Sequence, residues 1–121
     1  MKATDPEADH IRLRHMLDAA QSAAEFAGTS REEFDAARIR QSATVRELTV
    51  LGEAAKSVSV TQRERWPDFP WREMMRMRDV LTHHYFGIEL DIVWSVVVNE
   101  LPSVISDIGR MLDELESGGQ I

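Results

Sequence analysis

The chain contains no cysteine in its 121 residues, which excludes disulfide scaffolds, thiolate metal sites and cysteine nucleophiles. Lysine is scarce as well: only Lys2 and Lys56 stand beside twelve arginines. Arginine suits bidentate phosphate contacts better than lysine does, and it serves equally in ion pairs on helix surfaces. No stretch alternates apolar and polar residues for long enough to make a strand, so an all-α fold is expected. No continuous apolar run approaches the roughly 20 residues of a membrane span. The opening residues, MKATDPEADH, lack the apolar core of a secretory signal. These absences lead us to expect a cytoplasmic protein without membrane contact. With 43% hydrophobic and 29% charged residues, the chain reads as one globular domain over residues 1–121, with its core over about 5–116 and a frayed tail at 117–121.

The net charge of −7 argues at first against a nucleic-acid ligand, but the charge is unevenly placed. Residues 1–78 carry 13 basic and 13 acidic side chains, whereas residues 79–121 carry eight acids and only Arg110. Between Thr61 and Arg78 there are five arginines and three acids. The expectation is therefore a narrow basic cleft, containing Arg72, Arg76 and Arg78, on an acidic body.

Asp5 before Pro6 reads as an N-cap with proline at the first helical position, and Gly28 as the stop of that first helix. Ser30 with Glu33 reads as a capping box opening a second helix. The apolar stripe of that helix runs through Phe34, Ala37, Gln41, Val45, Leu48, Gly52, Ala55 and Val58. Gly52 and Ala55 leave it a flat patch where another helix can approach closely. Thr61 with Glu64 repeats the capping pattern, but Pro67 confines the helix it would open to a short extra turn near 61–66. A third helix is expected from about Pro70 toward His83, with Gly87 as its breaker. A fourth is expected from about Glu89, kinked at Pro102. Short connections make an antiparallel four-helix bundle.

Reactive side chains concentrate in Arg76-Met77-Arg78-Asp79-Val80-Leu81-Thr82-His83-His84-Tyr85. Asp79 and His83, four apart, are neighbours on a helix. Arg78 and His83 lie about 140° apart around an ideal helix. They converge if the helix loosens, if the arginine bends round, or if a second subunit completes the site. A histidine titrating near neutrality beside an arginine suits RNA cleavage: the imidazole moves a proton, and the guanidinium holds phosphate. The plainer reading makes His83 and His84 polar residues near a helix end, where cations meet the helix dipole favourably. A metal site from Asp79, His83 and His84 lacks a third ligand on a shared face, so neither metal nor cofactor is expected. His10 and His15 read as surface residues, Trp66, Trp71 and Trp94 as packing anchors, and the methionines as core filler.

Arg78-Asp79-Val80-Leu81-Thr82-His83-His84-Tyr85 resembles the Arg-x-x-x-x-His-x-Tyr motif of HepT-like toxins, small helical ribonucleases of the HEPN superfamily. Further landmarks fall in family order: Gly52-Glu53-Ala54, Pro70-Trp71, Tyr85-Phe86-Gly87-Ile88, Val93-Trp94 and Leu101-Pro102. The likeness spans about residues 9–115. It implies a HEPN-like bundle and a metal-independent endoribonuclease acting through the ribose 2′-hydroxyl. Arg78 and His83 take the catalytic roles in that picture, supported by Asp79, Glu53 and His84. Many relatives have asparagine where this chain has Asp79. The resemblance also implies a homodimer whose two motifs line one cleft, and a minimal nucleotidyltransferase antitoxin that transfers AMP to Tyr85. A different class of function, a non-catalytic helical module binding such a transferase, uses Arg78 as a structural ion-pair residue instead. A nucleotide-binding helper is not favoured, since no glycine-rich phosphate loop is present.

Overall fold

The computed structural model describes residues 6–83 and 89–118, with the side chains of Thr82 and His83 outside that description. The described residues are helical and contain no strand. Helix α1 spans Pro6–Ala27 and stops at Gly28, whose φ of 89° is the left-handed conformation that glycine adopts without a steric cost. Ser30 caps α2, Arg31–Ala36, by accepting from the Glu33 N–H. The Glu33 carboxylate reaches back one residue further than a capping box requires, to the Thr29 N–H at 2.8 Å.

The expected second helix is two helices. The chain leaves helical geometry at Ala37, with φ −129° and ψ 106°, and resumes in α3, Arg38–Ser57. The Gln41 amide donates to the carbonyls of Phe34 and Asp35, satisfying acceptors that the break would orphan. The next cap is Ser59, not Thr61: its hydroxyl accepts from the Gln62 N–H and opens α4, Val60–Arg65. Ser59 is itself fixed by Asp9, a carboxylate only 1% exposed, which accepts from the Ser59 N–H at 2.9 Å and the hydroxyl at 2.6 Å. This pair ties the start of α1 to the α3–α4 junction, so α1 and α3 run antiparallel.

After the aromatic corner, where the Trp71 indole donates to the Trp66 carbonyl at 3.0 Å, helix α5 covers Trp71–His83. Helix α6, Leu90–Ser95, passes through a π-helical turn at Val96–Glu100 into α7, Leu101–Ser117. The expected kink at Pro102 thus takes the form of a widened turn just before it. Pro102 has no N–H to give and its ring crowds the preceding turn. The Leu101 N–H accordingly bonds to Val96, five residues back. Ser117 belongs to α7, and the Gly118 N–H closes the helix on the Glu114 carbonyl at 2.9 Å. The Asp5 cap, the Gly87 breaker and the tail beyond Gly118 fall outside the described residues.

Helix α1 packs on both α3 and α7, and α5 packs principally on α3. The core between them holds Leu13, Met16, Phe34, Leu48, Leu51, Leu101, Ile108 and Met111, all excluded from solvent. At about 25 cal/mol per Å2 of apolar surface, each such side chain contributes roughly 1.5–3 kcal/mol relative to exposure. The rings of Phe34 and Trp94, 5.4 Å apart, join α2 to α6. By length and composition alone the run Leu90–Ser117 is long and apolar enough to cross a membrane, although Asp91, Glu100 and Asp107 interrupt its apolar residues. Core helices meet that criterion too, and here Val93, Leu101, Val104, Ile108, Met111, Leu112 and Leu115 are buried in the core.

Candidate functional site

Helix α5 presents two different faces. Trp71 and Met74 are buried, and Arg78 follows on the same side toward α3. Arg72, Arg76 and Asp79 are exposed on the other side. What lets α5 approach so closely is Gly52 on α3, itself buried. A Cβ at that position would lie 2.6 Å from the Met74 carbonyl oxygen and collide with the Arg78 Cβ. The flat patch expected around Gly52 is therefore the seat of Arg78.

Arg78 is one-quarter exposed, while its partners Glu53 and Asp79 are mostly in solvent. Its Nε donates to Glu53 Oε2, and its Nη1 donates to Asp79 Oδ1 at 2.9 Å. Glu53 follows Gly52 directly, so one short segment of α3 both admits Arg78 and fixes its head group. Hydrogen bonding to Asp79, and then to Glu53, holds the guanidinium above its ordinary pKa. It is cationic at every pH an RNA strand tolerates.

The α-helix continues through His83, so the helix does not loosen before the histidine. Helical register places the His83 backbone on the stripe of Arg72, Arg76 and Asp79, one turn beyond Asp79 and away from the α3 side. The guanidinium of Arg78 bends toward that stripe as far as Asp79. The structure thus brings together Arg78, Asp79 and Glu53. His84 and Tyr85, and the His83 side chain, lie outside the described residues.

The single basic cleft expected from the sequence does not form as expected, because its arginines are dispersed over two sides of α5 and one of them is neutralised by acids. Arg78 is neutralised by two carboxylates, whereas Arg72 and Arg76 are exposed with no ion pair drawn to either among the described residues. Two more of the five arginines, Arg63 and Arg65, are committed to the Val58 carbonyl and to Glu114. No group of three His, Asp or Glu side chains among the described residues could hold a metal ion. His10 bonds Glu116 at 3.0 Å, which joins the start of α1 to the end of α7.

The sequence singled out Glu53 without its partner, and Gly52 as a place of close approach without showing that Arg78 is what sits there. The signal was there: an interior helical glycine costs stability unless something must come close, and here a charged residue follows it directly.

A family model described as Ribonuclease HepT-like matches residues 16–111. A protein of Methanocaldococcus jannaschii named "Putative RNase MJ0127" is 39% identical over 85 residues, 70% of each chain. The "Probable ribonuclease HepT" of Thermococcus cleftensis is 40% identical over 73 residues, 60% of this chain and 66% of that protein. "Putative RNase TTE0752" of Caldanaerobacter subterraneus is 33% identical over 103 residues, 84% of this chain and 92% of that one. No solved structure matches the chain. With a family match across most of its length and relatives that bear ribonuclease names, the chain belongs to the HepT-like ribonuclease family.

Proposed function

We propose that this protein is the toxin of a toxin–antitoxin pair, an endoribonuclease that cuts RNA without a metal ion. The observation carrying this reading is an arginine held cationic and oriented by Glu53 and Asp79, five residues before His83, in a HepT-like chain. In the reaction the ribose 2′-oxygen forms a bond to the adjacent phosphorus and the P–O5′ bond breaks. The products carry a 2′,3′-cyclic phosphate and a 5′-hydroxyl. His83 moves the proton between the 2′-hydroxyl and the leaving oxygen, and Arg78 stabilises the charge developing on the phosphoryl oxygens. Asp79, four residues before His83, is placed to orient it. His84 supports the site from the next position.

The 140° between Arg78 and His83 on an unbroken helix supports a homodimer of antiparallel helical bundles whose two motifs face one cleft. Regulation in this reading falls on Tyr85: its hydroxyl attacks the α-phosphorus of ATP on a minimal nucleotidyltransferase, releasing pyrophosphate and leaving AMP on the ring. The added phosphate brings negative charge and bulk to the place an RNA phosphate must occupy. The protein acts in the cytoplasm, away from membranes.

One observation favours a second reading. Arg78 is already satisfied by two carboxylates, as a structural ion-pair residue of a non-catalytic, transferase-binding module would be. Expression of the chain alone separates the two. The toxin reading expects growth arrest that His83→Ala and Arg78→Ala relieve; a harmless wild-type chain would overturn it. Co-expression with the transferase is expected to add one or more adenylyl units to Tyr85 in the intact mass. An unchanged mass would remove the regulatory part.

A further inference from the structure

The motif engages only one of the three arginines of α5. Arg72 and Arg76 are four residues apart, and with Asp79 and His83 they form a stripe at spacings of four, three and four residues along the side of the helix turned from α3. That spacing keeps all four positions on one helical face. Arg72 and Arg76 are exposed. Unlike Arg31, Arg65, Arg78 and Arg110, neither has a carboxylate drawn to it among the described residues. Asp79, the one acid on the stripe, is engaged by Arg78. Two exposed guanidinium groups with no ion pair drawn to them among the described residues, although Glu73 stands between them in sequence, are therefore in line with the motif, about 6 Å apart along the axis at 1.5 Å per residue. That is close to the interval between successive phosphates on an extended strand. Beside Arg72 a groove of about 360 Å3, lined by Arg63, Glu64, Pro67, Trp71 and Met75, has room for a base attached to such a strand.

We propose that Arg72 and Arg76 form a phosphate-binding rail that lays the backbone of single-stranded RNA along α5 and feeds it to the motif at the helix end. The proposal rests on the ribonuclease reading and adds to it where the substrate lies. The rail binds the strand equally before and during the reaction, so its loss raises KM and spares kcat.

The test is binding of a fluorescent single-stranded RNA as a function of salt. His83→Ala serves as the parent so that the strand stays whole. Each phosphate contact on a single strand contributes roughly 0.7 to the slope of log affinity against log salt. The pair Arg72→Gln/Arg76→Gln should therefore flatten the slope by roughly 1.4. Arg72→Lys/Arg76→Lys should restore most of the slope, and Arg14→Gln on α1 should leave it at the parent value. In the chain with His83 intact, the Gln pair should raise KM at unchanged kcat. If that chain cuts RNA but the Gln pair leaves slope and KM as they were, the rail is overturned and the ribonuclease reading stands. The stripe would then be free to meet an acidic protein. Equal flattening by Arg14→Gln would also overturn the rail, by showing a general charge effect. If the intact chain neither binds nor cuts RNA, both readings fall.

Discussion

Arg78 and Arg76 are two residues apart on one helix and live in opposite circumstances. Arg78 faces α3, where Gly52 admits it and Glu53 and Asp79 hold its guanidinium. Arg76 faces solvent with no acid drawn to it among the described residues. On the proposed reading, the difference gives one short helix two jobs. A group that stabilises charge at a reacting phosphorus must be fixed before the substrate arrives, since reorienting it during the reaction would cost what it contributes. A group that gathers a flexible strand gains from remaining mobile and unpaired. The acidic total of the chain counts against an RNA ligand at Arg78 itself, which Glu53 and Asp79 neutralise, and leaves Arg72 and Arg76 as the exposed cations of α5.

The largest effect should come from removing the fixed arginine. Arg78→Ala is expected to lower kcat for RNA cleavage by about 10²-fold or more, with far-ultraviolet circular dichroism unchanged. Gly52→Val attacks the same geometry from the other helix. Its side chain cannot share space with the Met74 carbonyl and the Arg78 Cβ. It should cost about 1–3 kcal/mol in denaturant unfolding as an overpacked contact and reduce cleavage, while leaving RNA binding by Arg72 and Arg76 largely in place. That separation of binding from cleavage would sharpen the contrast between the faces; equal loss of both would break it.

Asp79→Asn keeps a hydrogen-bond acceptor for Arg78 and removes one negative charge from the stripe. A change of a few-fold in kcat/KM, with tighter RNA binding, is expected in initial-rate measurements. The smallest effects lie far from α5. Ser30→Ala should cost about 1 kcal/mol of stability in thermal unfolding, as loss of an N-cap does. At Glu33 the Thr29 N–H, with help from Arg40, holds the carboxyl below its ordinary pKa. A depressed folded-state pKa contributes stability above the unfolded value of about 4.5, and that stability is lost as pH falls through the folded value. Glu33→Gln should therefore lower stability at neutral pH, converge with the wild type as pH falls below the folded value, and so flatten that part of the acid limb. Arg78 contributes nothing to either limb, since its raised pKa keeps it charged throughout.

Much of the fold was legible in the sequence where the cause is local. Gly28 ended α1 because a positive φ was needed there, and Ser30 and Glu33 opened α2 through contacts within four residues. The break at Ala37 was hidden because Phe34, Gln41 and Leu48 stay in seven-residue register across it, and only the folded chain shows Gln41 capping the first half. Asp9 reads as an ordinary first-turn acid until its partner Ser59, fifty residues away, is known. Thr61 read as the cap through the Thr61–Glu64 pattern, whereas Ser59, held by Asp9, is the residue that caps α4. At the site, the resemblance pointed to Arg78, and Gly52 marked a place for close approach. That these were one feature, an arginine seated on a glycine, depended on which helix crossed α3 and at what height.

The chemistry of the cut ends tests the central claim most directly. Wild-type protein, incubated in excess chelator with an RNA oligonucleotide, should yield 2′,3′-cyclic phosphate and 5′-hydroxyl ends. Cutting should stop at any site whose 2′-hydroxyl is replaced by hydrogen, and His83→Ala should abolish it everywhere. Cleavage that disappears with the chelator, or continues through the 2′-deoxy positions, would contradict a metal-independent attack by the ribose hydroxyl.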